Sequence, residues 1–139
     1  MFQNILVPTD LSKKSTKAID IAIKIGAESN CKITLLHVIE TIEDADYEEF
    51  DEFYEKLKVR AERKMDEMVH NKKIKQSAIR KEIAFGKRVK EIVRFAYENG
   101  IDLIILTSHK IEKIDASDGW ATISYRVGIL SHCPVMMIK

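Results

Sequence analysis

The chain has 139 residues, 45% hydrophobic and 32% charged, with 23 Lys+Arg against 22 Asp+Glu for a formal net charge of +1. That length suits one domain whose core needs no staples, and the charge balance argues against a general polyanion binder, so nucleic acid is not an expected partner. Cys31 and Cys133 lie far apart with no Cys-x-x-Cys or Cys/His cluster, which argues against a disulfide framework or a zinc ribbon.

The opening MFQNILVPTD lacks the charged start, apolar run and cleavage site of a secretory signal. No apolar run approaches the ~18 residues of a membrane span. A cytoplasmic, membrane-free protein is the expectation. Asn4-Ile5-Leu6-Val7, stopped by Pro8, reads as a buried strand. Asp10-Leu11-Ser12 then offers capping side chains to a helix with Ala18, Ile21, Ala22 and Ile25 at i, i+3, i+4, i+7, running to about Glu28. Lys32 to Val38 is the second strand. A long helix is expected from roughly Ala45 to His70, with Phe50, Phe53, Tyr54, Leu57, Ala61 and Met68 on one stripe. Ser77 to Phe85 is a third strand whose polar centre places it at an edge. Val89, Ile92, Val93 and Ala96 mark the next helix, closed by Asn99-Gly100 as a left-handed cap. Asp102 to Leu106 is the most continuous apolar strand and is expected in the interior of a sheet. Ser108 to Asp118 reads as a polar loop. Ile123, Val127 and Leu130 mark a fourth helix, and Pro134 to Ile138 is the last strand.

Five strands alternating with four helices imply parallel strands joined by right-handed crossovers. The fold class is therefore α/β, with helices on both faces of a doubly wound sheet. Such sheets bind ligands at the carboxyl ends of their strands, where the strand order reverses. The loops that matter are then Pro8–Ser12, Ile39–Asp44, Gly86–Arg88 and Thr107–Ala121.

Neither G-x-x-x-x-G-K-[ST] nor G-x-G-x-x-G occurs, which disfavours a P-loop NTPase or an ordinary dinucleotide enzyme. The acidic cluster and phosphorylatable aspartate of a receiver domain are missing too. Asp10, just past the first strand, can accept hydrogen bonds from a base or ribose, or can simply cap the first helix. His37, His70, His109 and His132 have no metal-ligand spacing; only His109, between Ser108 and Lys110, lies on a ligand loop. Residues 40–55 carry nine acids and no Lys or Arg, while residues 56–90 carry thirteen Lys/Arg against four acids. That polarity suits a helix dipole, the alternative being a docking surface for a charged partner.

NILVPTDLSKKSTKAIDIA, ITLLHVIE, GKRVKEIVRFAYENGIDLIILTSH and SHCPVMMIK together resemble, in order and at the right spacing, the universal stress protein family. The resemblance implies an open five-stranded parallel sheet, Rossmann-like and similar to the adenine nucleotide alpha hydrolases. Some members bind ATP through an aspartate after strand one, backbone near the end of strand two, and a Gly-x2-Gly-x9-Gly-(Ser/Thr) loop. Others lack those glycines and do not bind it. By this resemblance Asp10 matches the base-contacting aspartate, Val38 the adenine-side position and Gly86 the glycine that opens the third helix. Ser108 and His109 match the centre of Gly-Ser-His-Gly, whose glycines are here Thr107 and Lys110. Counted back from Cys133-Pro134-Val135, the third glycine falls on Ala121 and its hydroxyls on Thr122 and Ser124, with Gly119 as a rival. The base half of such a site is present and the triphosphate half is degraded, because glycine is what permits close backbone approach to phosphate.

The expected function is a non-enzymatic regulatory or protective protein with weak or absent binding of ATP with Mg²⁺. Two alternatives stand beside it: a nucleotide sensor in which Lys110 and nearby hydroxyls rebuild the phosphate site, and a slow nucleotide hydrolase. Family members commonly dimerise, and the apolar terminal strand carries Pro134, Val135, Met136, Met137 and Ile138. If it lies at a sheet edge, its unpaired hydrogen-bonding row invites a second copy, so a homodimer is expected.

Overall fold

Side chains alternate across a pleated strand, and here both sets are apolar. Ile5 and Val7 of strand β1 (Asn4–Pro8), with Ile33 and Leu35 of β2 (Lys32–Ile39), face one layer of helices. Leu6, Leu36 and Val38 face the other. This computed structural model describes residues 2–27, 29–42, 51–70, 72, 79–108 and 119–139, except for the side chains of 119–122. The remaining strands are β3 (Ile79–Phe85), β4 (Leu103–Thr107) and β5 (Val135–Ile138). All pair in parallel, in the order β3-β2-β1-β4-β5. The fold is the doubly wound α/β sheet read from the alternation.

Helices α1 (Thr16–Gly26) and α2 (Asp51–His70) supply Ala18, Ile19, Ala22, Met65 and Val69 to the first layer. Helices α3 (Arg88–Glu98) and α4 (Gly119–Leu130) supply Val89, Ile92, Ala96, Ile123 and Val127 to the second. A short 3-10 turn, Lys13–Ser15, precedes α1. Gly100, at φ +62°, ends α3 as a left-handed cap, and the Ile101 N–H donates to the Ala96 carbonyl. None of the described helices is long and apolar enough to cross a membrane.

Three helical stripes differ from expectation. On α1, Ile19 is buried while Ile21 and Ile25 are half-buried, because Ala18, Ile19, Ala22 and Gly26 make the tighter face. On α2, Tyr54 is buried edge-on to Phe85 at 6.2 Å, which leaves the neighbouring Phe53 exposed on its outer side. On α4, Ile123 and Val127 enter the core but Leu130 is exposed at the helix end. The N-terminal part expected for α2, residues 45–50 with Phe50, lies outside the described residues, as do positions 77 and 78 of the third strand and most of the polar loop (109–118). β3 is an edge, as its polar centre suggested, and β5 is the other. The acids Asp51 and Glu52 occupy the first turn of α2 and His70 its last, in keeping with the helix dipole.

Candidate functional site

The strand order reverses at β1. The chain leaves β1 toward β2 on one side, while β4 lies on the other, so the loops after β1 and β4 diverge and open a crevice at the carboxyl edge. Register locates the residues on that edge. Pro8 pairs with Leu36 and Leu6 with Ile104; carried two and four residues onward, Asp10 stands level with Val38 and with Ser108. Val38 pairs with Ala84, two residues before Gly86. The structure therefore brings Asp10, Val38, Gly86, Thr107 and Ser108 to one edge of the sheet.

Asp10 is half-buried. Its Oδ1 accepts the Ser12 N–H at 2.9 Å, an Asx turn that sets up the 3-10 turn. Neither that turn nor α1 has a side-chain cap. The carboxylate thus shapes the loop before the helix instead of capping the helix itself. Between Asp10 and Ser12 the backbone of Leu11 has φ +69°, a left-handed conformation that costs a non-glycine residue about 1–2 kcal/mol. The loop that holds it is closely bonded. The Leu11 N–H donates to Thr9 Oγ1 at 2.9 Å, and the Ser15 hydroxyl donates to the Ser12 carbonyl at 2.7 Å. With its proton so committed, Ser15 accepts from the buried Thr9 hydroxyl at 2.7 Å.

His37 completes this arrangement, a role its place within a strand concealed. Its Nδ1 lies 2.9 Å from the Thr9 carbonyl; that oxygen can only accept, so Nδ1 carries the proton. Burial pushes the imidazole below its ordinary pKa, and Arg88 adds to the effect, while the Thr9 carbonyl and Asp10 pull the other way. Thr9 N–H donates in turn to the Leu36 carbonyl at 2.8 Å. A neutral histidine on β2 thereby fixes the backbone that presents Asp10.

Val38 is buried beside Val89 and Ile123, on the α3/α4 face. Gly86 has φ +143°, and its N–H donates to the Ile39 carbonyl at 3.0 Å. Thr107 and Ser124 are placed differently from loop ligands. Thr107 ends β4 with its side chain buried, and its hydroxyl donates to the Lys14 carbonyl at 3.4 Å. Ser124 is fully buried and donates to the Thr107 carbonyl at 3.4 Å. Both side chains are buried. The Ser108 N–H is committed to the Ile138 carbonyl at 2.7 Å. Helix α4 begins at Gly119, so Gly119 stands at the helix start, and Ala121 and Thr122 fall within its first turn. His109 and Lys110 lie outside the described residues, as do the side chains of Ala121 and Thr122.

On the last strand, Met136 and Met137 are 36% and 44% exposed, while Val135 and Ile138 are half-buried against opposite layers. Cys31 and Cys133 are unbridged, and burial pushes both thiols up, which disfavours the reactive thiolate.

A family model described as "Universal stress protein family" matches residues 1–139. The chain belongs to the universal stress protein family. The curated Universal stress protein YxiE of Bacillus subtilis (strain 168) is 25% identical over 150 residues, covering 100% of both chains. Among solved structures, hypothetical protein MJ0577 is 28% identical with a TM-score of 0.81, covering 100% of this chain and 96% of that one. Two similar universal stress protein structures were solved as complexes. One, with cAMP, is 22% identical with a TM-score of 0.67, covering 99% of this chain and 97% of that one. The other, from Archaeoglobus fulgidus with dAMP, is 15% identical with a TM-score of 0.66, covering 99% and 98%. At those identities the two share the universal stress protein fold with this chain.

Proposed function

We propose that this universal stress protein is a non-enzymatic regulatory or protective homodimer that recognises the adenosine end of a nucleotide and holds ATP weakly. Two similar universal stress protein structures were solved with cAMP and dAMP, in keeping with an adenine-nucleotide ligand, and the reversal of strand order at β1 favours the carboxyl edge as its place. Asp10, two residues past the end of β1, and Val38, near the end of the adjacent β2, are the residues that would meet a base and ribose. The observation that carries the weak-ATP reading is Thr107. Where the resembling loop has its first glycine, this chain has a buried side chain bonded to the Lys14 carbonyl, so the backbone cannot take up a glycine-only conformation without unpacking it. With Lys110 and Ala121 also replacing glycines, the phosphate cradle lacks the residues that allow close backbone approach.

Calorimetry with MgATP tests this. The expected dissociation constant is weaker than about 100 μM, less than ~5.5 kcal/mol of binding, with Asp10→Ala weakening what remains. Saturable low-micromolar MgATP binding abolished by Lys110→Ala would replace this reading with a rebuilt phosphate site. Release of labelled phosphate lost in Asp10→Ala would make the protein an enzyme.

A further inference from the structure

A pocket of about 350 Å³ lies between the carboxyl ends of β2 and β3, the first turn of α3 and the side of α4. Its floor is apolar, from Val89 and Ile123. Its rim is not: Lys87, Arg88, Lys90 and Arg126 line it, with Glu40 the one acid among the described lining residues. Among the described residues the lining thus holds more cations than acids, in a chain whose whole net charge is +1. Composition does not produce that concentration; the fold does, because Arg126 comes from a helix 36 residues beyond Lys90.

Arg88 Nε stands 3.9 Å from Glu40 Oε1, with both side chains partly in solvent, a loose pair at the limit of contact. Among the described residues, neither Lys90 nor Arg126 has a carboxylate within ion-pair distance. Glu91, the acid in the first turn of α3, leans against Gly86 and pairs with Arg94 at 3.3 Å. It does not line the pocket. The side chain of Lys87 does not cap α3, so the helix end adds to the positive potential. Like charges lining one pocket repel one another, and a bound anion relieves that repulsion. The volume falls in the range of small-molecule sites.

We propose that this pocket binds a linked phosphate group, a di- or triphosphate, independently of the degraded loop after β4. The shared chemistry is the polyphosphate, whether free or carried by a nucleotide. The cationic rim takes the phosphate oxygens, and Glu40 opposes them. This goes beyond the adenosine reading and does not depend on it.

The probe is inorganic tripolyphosphate, titrated into the ¹⁵N-labelled full chain at about 0.15 M salt and followed by amide shifts. Saturable shifts centred on 86–90 are expected, and Arg88→Gln with Lys90→Gln should weaken binding about tenfold. Glu40→Gln should tighten it about threefold, a gain that a folding defect cannot imitate. MgATP in a parallel titration distinguishes the sources. Shifts at 86–90 joined by shifts at 9–11 identify a nucleotide, and shifts at 86–90 alone identify free polyphosphate. Shifts centred on 107–110 overturn the proposal. So do unsaturable shifts spread over all the lysines and unchanged in Glu40→Gln.

Discussion

Gly86 joins β3 to α3 at the site, and Gly86→Ala should destabilise the protein by two separable effects. Its φ of +143° is one that side-chain-bearing residues rarely adopt, and holding alanine there costs about 1–3 kcal/mol. An added Cβ would also lie 2.9 Å from Glu91 Oε1 and 3.0 Å from its Cγ. Glu91 is flexible and can swing away, giving up its partly exposed contact with Arg94, which is worth about 0.2–1 kcal/mol. The sum is centred at about 2.6 kcal/mol. For a chain of this length the unfolding entropy is about 0.3 kcal/mol/K, so the melting temperature should fall by ~9 °C. Thermal unfolding followed by circular dichroism measures it. Gly100→Ala is the contrast, since φ is +62° there but nothing lies within 4 Å; only the backbone part applies, about 1 kcal/mol or ~3 °C. In a Glu91→Ala background, Gly86→Ala should cost only the backbone part, because the clashing side chain and its contact with Arg94 are already gone. A Gly86→Ala protein melting within about 2 °C of its parent would refute the reasoning about this turn.

Burial lowers the His37 pKa in the folded protein relative to the ordinary 6.5. The unfolded chain therefore binds more protons, and stability rises with pH through the window below 6.5, by at most about 1.4 kcal/mol per pH unit for one proton. Melting curves from pH 7.5 down to 5.5 should show a loss on acidification that His37→Asn flattens; equal slopes would count against a lowered His37 pKa. Met136→Lys with Met137→Lys should turn a dimer into a monomer by light scattering, since both side chains lie exposed on the edge strand β5; a monomeric parent at micromolar concentration would end the homodimer reading. Thr107→Gly with Lys110→Gly should tighten MgATP binding while lowering the melting temperature, because Thr107 leaves a packed position. Unchanged affinity in calorimetry would show that glycine is not what the loop lacks.

Much of the edge was legible because register in a parallel sheet is regular. Once Asp10, Val38 and Ser108 were each assigned to a strand end, the β1–β2 and β1–β4 pairings needed only to align them. Thr107 and Ser124 could not be read the same way. Their hydroxyls suit either a phosphate or a carbonyl, and only the packing of β4 against α4 turned both inward. His37 escaped notice for a related reason. A histidine inside an apolar strand gives no local sign that its imidazole reaches the Thr9 carbonyl across the neighbouring strand's end.

What the sequence determined by itself was the periodicity. Alternating apolar runs and helical stripes specify parallel strands with helices between them, because each element must hide an apolar face. Gly100 was equally local, since a left-handed cap depends on its own backbone. The tertiary structure decided which faces met. It chose Tyr54 over Phe53 and left Leu130 in solvent, as a one-residue turn of a helix moves a side chain by about 100°. It also gathered Arg88, Lys90 and Arg126 around one pocket. Charges distant in the chain become a site only when folding sets them within a screening length of one another.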